Sequence, residues 1–214
     1  MTCRRISSVF LGVVIATVIP ALANAIGVEF TPVVGHFTAL ESQITDNDAP
    51  LVVRQSDATA FGARLTVWLA PRIAAEASFV TASGGVTLIG GGAPIGLDGV
   101  MIQADARARF RVNDPNDAAG LDIIAGVGIS DINEGLSDVG EDLGFESPSA
   151  FTIVVGLGGT IPVSDRIRLR FDIEDHIHDA NYEVNEANFG SAVSVDDQQH
   201  DIVLLAGIVL PIWD

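Results

Sequence analysis

The chain contains no lysine: all 11 of its basic residues are arginine. A lysine-bearing phosphate cradle is therefore excluded, and with 28 acidic residues the formal charge is −17, so a polyanion such as a nucleic acid is repelled. The single cysteine, Cys3, lies in the charged start of the N-terminal segment. Its solitude rules out a disulfide framework and a thiolate metal site. Aromatic residues are few, with one Tyr and two Trp beside ten Phe. Long apolar runs are missing as well. The stretch from Val9 to Ile19 is shorter than the roughly 20 residues of a membrane helix, and no later stretch reaches that length without a charge, Gly or Pro.

What is present begins with an export signal. Arg4 and Arg5 precede the apolar stretch, and Ala23-Asn24-Ala25 supplies the small-x-small pattern of a signal-peptidase site. Residues 1–25 are expected to be a signal peptide and residues 26–214 one domain. Cleavage would leave nine arginines against the 28 acids, a balance of −19. The mean hydropathy is nonetheless positive. Charge and apolar bulk must then be kept in separate places.

Period two shows where. Val100, Ile102, Ala104, Ala106, Ala108 and Phe110 alternate with Met101, Gln103, Asp105, Arg107, Arg109 and Arg111, which reads as one strand with two opposite faces. Phe61 to Leu69, Ile73 to Val80, Leu121 to Ser130, residues 151 to 161 and Ile167 to Glu174 repeat the scheme. A first strand near 27–37 and a last near 200–213 alternate less strictly. Eight strands of about 9 to 11 residues suit a tilted membrane strand. The connections alternate: long at about 38–59, 82–99, 131–149 and 175–199, short around Pro71-Arg72, Asn113 to Asp117 and Pro162 to Arg166. With antiparallel strands the short turns share one end and the long loops the other, as in outer-membrane barrels. The Gly-rich stretch Gly84 to Gly99 and the acidic stretch 131–149 are expected to be mobile outer loops.

Three features decide which face is inside. The less apolar face carries small residues, including Gly126, Gly128, Gly156 and Gly158, which suit the crowded bore of a narrow barrel. Its charges balance six against six: Arg64, Arg107, Arg109, Arg111, Arg168 and Arg170 meet Glu29, Glu76, Asp105, Asp122, Asp172 and Glu174. Shielded charge has to be paired, and arginine forks pair well with carboxylates. Turning arginines toward lipid would cost about 2–4 kcal/mol each near the midplane. Phe61, Phe79 and Phe151 toward the loop ends and Phe110 toward a turn end are placed as interfacial girdles would place them. The sequence therefore predicts an all-β fold, an eight-stranded antiparallel up-and-down transmembrane β-barrel. A lipocalin-like soluble barrel with the two faces reversed is the alternative.

The opening strand Glu29-Phe30-Thr31-Pro32-Val33-Val34-Gly35, the tight Pro71-Arg72 hairpin and the closing strand Asp201 to Trp213 resemble the small outer-membrane β-barrel family that includes the OmpA transmembrane domain and OmpX. The resemblance covers residues 26–214. It implies the bacterial outer membrane, reached through the periplasm, with outer-membrane lipids, lipopolysaccharide and the barrel assembly machinery as partners, and a monomer. The family commonly ends in an aromatic residue, whereas here Trp213 is followed by Asp214. No peptidoglycan-binding domain is expected.

Other chemistries are weaker. His176, His178, Asp179 and His200 are the one group whose types suit a transition metal, but the spacing is loose and ordinary loop-edge histidines are expected. Asp131, Glu134, Asp138, Glu141, Asp142 and Glu146 lack calcium-loop spacing. Ser130, Ser149, His36 and His176 are hydrolase candidates by type only. No catalytic, cofactor or metal site is expected. The reading is a structural or surface-interaction barrel, not an enzyme, with a lumen plugged by charge pairs. A small pore or transporter, or a lipid-modifying enzyme, is the alternative.

Overall fold

The computed structural model describes residues 26–40, 52–89, 95–133, 149–164, 166–184 and 193–213. The expected signal peptide and the acidic residues 134–146 lie outside these. The described residues form nine strands: β1 Gly27–Ala39, β2 Val52–Gln55, β3 Ala58–Ala70, β4 Ile73–Ile89, β5 Ile95–Arg111, β6 Gly120–Asn133, β7 Ala150–Pro162, β8 Arg168–Val184 and β9 Val193–Trp213. No helix occurs among the described residues.

The strands form one antiparallel sheet in the order β2-β4-β3-β1-β9-β8-β7-β6-β5, and β4 also pairs with β5, so the sheet closes on itself. Both β2 and β3 pair with β4, at Gln55↔Val86 and Thr59↔Ser83. They are two parts of one stave interrupted at Ser56 and Asp57, and the cylinder has eight staves.

Ladder partners traced once round the wall run from Phe37 through Val203, Glu174, Gly156, Ile124, Arg109, Ala74 and Trp68 to Gly27. The circuit returns to β1 ten residues from its start. With a rise of ~3.3 Å per residue and a strand spacing of ~4.8 Å, this stagger tilts the strands by roughly 40°. A bore of that size is filled by side chains.

Short reversals fall where the local chemistry demands them. Pro71 and Arg72 join β3 to β4. In the β5–β6 turn, Asn113 Nδ2 donates to the Ala119 carbonyl at 2.6 Å, and Asp114 Oδ1 accepts from the Asn116 backbone N–H at 2.9 Å. Such side-chain caps satisfy backbone groups that no ladder reaches. The last short turn is closed by Val163 N–H donating to the Ile167 carbonyl at 2.9 Å.

All four expected long connections are shorter than the sequence reading placed them. The Gly-rich segment is a β-ribbon, paired from Gly84↔Gly99 to Leu88↔Ile95. Strands β8 and β9 continue to Val184↔Val193, and β6 to Asn133. The alternation fades there because the outward face is no longer apolar, whereas the ladder needs only backbone donors and acceptors. β2 lies inside the expected 38–59 loop.

Side chains sort as the alternation requires. Phe110, Leu121, Ile123, Val127, Ile153, Leu157, Phe171 and Ile173 project from the outer wall, while alternate residues such as Arg109, Asp122, Ile124, Thr152, Val154 and Asp172 are buried in the bore. The reversed, lipocalin-like arrangement is not the one found.

Candidate functional site

Ten of the twelve predicted lumenal charges are buried inside the barrel. Arg111 and Arg168, at the turn end, keep partial exposure. The cluster is built from opposite walls. Arg170 on β8 grips Glu76 on β4 through Nη1 at 2.6 Å and Nη2 at 2.9 Å, and its Nε donates to Asp172 at 2.6 Å. Arg64 on β3 is ion-paired with Asp172 and lies 2.7 Å from Glu174. Arg107 on β5 pairs with Asp105 on its own strand and reaches Glu174 at 2.5 Å. Arg109 donates to Asp122 at 2.7 Å and to Glu76 at 3.3 Å. Thr66 Oγ1 adds a fourth donor to Glu76, at 2.6 Å.

Toward the turn end the same pattern forms a stopper. Glu29 accepts from Arg168 at 2.5 Å and from the Trp68 indole N–H at 2.8 Å. The Arg111 guanidinium stands 4.7 Å over the Trp68 ring while its Nε donates to Asp122 at 3.1 Å. This is the geometry of a cation–π contact.

Room for these long side chains comes from glycine on the facing strands β6 and β7. A Cβ at Gly126 would stand 2.8 Å from Arg107 Cγ, and one at Gly158 would stand 2.7 Å from Arg109 Nη2. Each is closer than real contacts allow. Charged residues from β5 and β8 occupy volume that β6 and β7 leave empty.

The loop-end half of the bore is different. Val33, Phe37, Ala58, Ala60, Val80, Ala82, Met101, Val203 and Leu205 form an apolar cluster on one side. Polar side chains face it from β5 to β9: Gln103, Ser130, Thr152, His176, His178, Gln199 and Asp201, all buried. His176 Nε2 lies 3.2 Å from Glu174, and His178 Nε2 lies 2.8 Å from Asp201. Gln199 donates to Asp201 at 2.9 Å and to Gln55 at 2.7 Å. The sequence reading missed Asp201 as a lumenal carboxylate. Its signal was weak because β9 carries Val203 and Leu205 on the inner face and Ile202 and Leu204 on the outer, so alternation there does not separate polar from apolar.

The four-residue group with metal-binding side-chain types is divided by the barrel wall. His176 and His178 point into the lumen, whereas Asp179 is exposed and His200 pairs on the outer side with Asp175 at 2.9 Å. The hydrolase candidates are likewise separated: Ser130 and His176 are lumenal, and His36 is exposed near Asp57.

Solved structures similar to this chain include several outer-membrane proteins. The outer membrane protein OprG from Pseudomonas aeruginosa superposes with a TM-score of 0.66 at 16% identity, over 89% of this chain and 98% of that one. Neisserial surface protein A gives 0.57 at 12% identity, over 87% and 97%. The outer membrane protein AlkL in lipid bilayers gives 0.55 at 12%, over 88% and 91%. No family model and no curated protein sequence matches the chain. The chain has the fold of the small eight-stranded outer-membrane barrels.

Proposed function

We propose that this chain is an integral barrel of the bacterial outer membrane with a structural or surface-interaction role, its lumen sealed by the charge network. The observation that carries the reading is the pairing of Arg170 with Glu76 across the full bore, within a layer where Arg64, Arg107, Glu174 and Asp172 are also buried and paired. A water path would have to break several of these pairs at once. Outside, the belt bearing Ile123, Leu157 and Phe171 has no polar group to offer water, and hydrocarbon is the solvent that suits it. Lipids and lipopolysaccharide are the expected neighbours of that belt, and the barrel assembly machinery its route of insertion.

Labelling tests the placement. Ile123→Cys in cells should resist a charged, membrane-impermeant maleimide and accept an apolar one. Rapid labelling of that position by the charged reagent in intact envelopes would end the membrane reading. Planar-bilayer recording tests the seal, for which no discrete conductance is expected.

A further inference from the structure

His176 and His178 occupy alternate positions of β8, so both side chains leave the same face of the strand and enter the loop-end half of the bore. Each ring is held by a carboxylate, His176 through Nε2 to Glu174 and His178 through Nε2 to Asp201. An ionised carboxylate can only accept, so in each pair Nε2 carries the proton. In the neutral ring that leaves a lone pair on Nδ1. Neither Nδ1 has a hydrogen-bond partner among the described residues, although both are buried.

We infer that His176 and His178 form a lumenal site for one divalent transition-metal ion, bound through the two Nδ1 atoms. A ligating imidazole that passes its other N–H to a carboxylate is the usual outer-shell arrangement of a metal histidine, because the carboxylate fixes ring tautomer and orientation and raises ligand basicity. Imidazole selects zinc, copper or nickel over the hard cations.

Two further observations support a cation here. Thr152, the ladder partner of His178, presents a buried Oγ1 with no hydrogen-bond partner among the described residues, an additional oxygen for the coordination sphere. Asp201 is fully buried and meets only His178 and Gln199, with no arginine among its described contacts. Among the described residues six lumenal arginines balance six carboxylates, and Asp201 is a seventh. A bound cation supplies the missing positive charge. The competing way to supply it is a proton on His178, which would block Nδ1.

Copper(II) separates these cases. The chain has four histidines, so replacing exposed His36 and outward-facing His200 by Gln leaves only the lumenal pair. That barrel, refolded in micelles without a histidine tag, should bind one copper ion whose electron paramagnetic resonance shows coupling to two imidazole nitrogens. His176→Gln or His178→Gln should remove the two-nitrogen signature. Asp201→Asn should weaken zinc binding, read by calorimetry, about 10–100-fold. Absence of copper binding in the His36→Gln/His200→Gln barrel, or a spectrum without two coupled nitrogens, overturns the inference, and neither result depends on the lumenal variants folding. Binding that survives both lumenal replacements would be an adventitious surface ion and overturns it equally.

Discussion

The Arg170 guanidinium holds both oxygens of the Glu76 carboxylate, although β8 and β4 are four staves apart whichever way the wall is followed. The pair is a strut across the diameter. Glu76 also receives Arg109 and Thr66, so one carboxylate on β4 ties three side chains from β3, β5 and β8.

Removing that carboxylate should be costly. Glu76→Ala strands Arg170 in a buried bore, and the expected loss is ~3–5 kcal/mol, the range for breaking a buried ion pair from one side. Denaturant unfolding in micelles, followed by heat-modifiable gel mobility, measures it. Replacing Glu76 and Arg170 together by Met should recover part of the loss. A double variant as unstable as Glu76→Ala would show that the strut is not a pair in the energetic sense.

The same strut should govern permeability. Intact barrels in planar bilayers are expected to be silent, whereas Glu76→Ala combined with Arg170→Ala should admit small ions. Steady unitary conductance from the unaltered barrel would contradict a sealed lumen.

Alternating faces made the charged layer legible in advance. Over residues 105–111 of β5 and 168–174 of β8 the inner residues are Arg or carboxylate while the outer ones are apolar, so sequence parity locates Arg107, Arg109, Arg170 and Asp172 unaided. The loop-end half was legible only on the strictly alternating strands, where parity puts Val80, Met101, Gln103, Ser130 and Thr152 inside, and not on β1 and β9. There Phe37, Val203 and Leu205 fill the bore, and an inner surface as apolar as the outer one erases the contrast that parity relies on. Partner choice was also invisible: spacing assigns Glu76 to the lumen, but only the ten-residue stagger brings it opposite Arg170.

Packing against glycine gives a third expectation. Gly158→Ala forces a methyl against the Asp172 carboxylate and within 2.7 Å of Arg109 Nη2, and should destabilise by ~1–3 kcal/mol as overpacking does. Gly159→Ala meets nothing nearer than 3.8 Å and should be tolerated. Equal unfolding midpoints for the two variants would refute the space-filling account.

A fourth concerns pH at the turn end. The Asn116 backbone N–H, and then its side-chain amide, both donate to Asp114 and hold its carboxyl below the usual Asp range, with Arg72 adding a smaller pull. A carboxyl shifted down contributes order that is fully present above its unfolded value, about 3.9, and is lost as pH falls through the lower folded value. The Asn116 amide resonance should therefore stay constant from neutral pH down to the ordinary carboxylate range and move only in more acid solution. Titration centred at or above the ordinary value would be the contrary result, and Asp114→Asn should abolish the movement.

The seam of the cylinder lies between its first and last strands, where Phe30 meets Leu210 and Phe37 meets Val203. The two strands of this seam are the paired strands farthest apart along the polypeptide, so their meeting carries a large loop-closure entropy and a high contact order. Until then β1 and β9 each present a raw edge able to zip onto a neighbouring molecule. Sealing is thus the step at which a chaperone has the most to prevent, and shortening β9 would leave a sticky ribbon rather than a smaller tube.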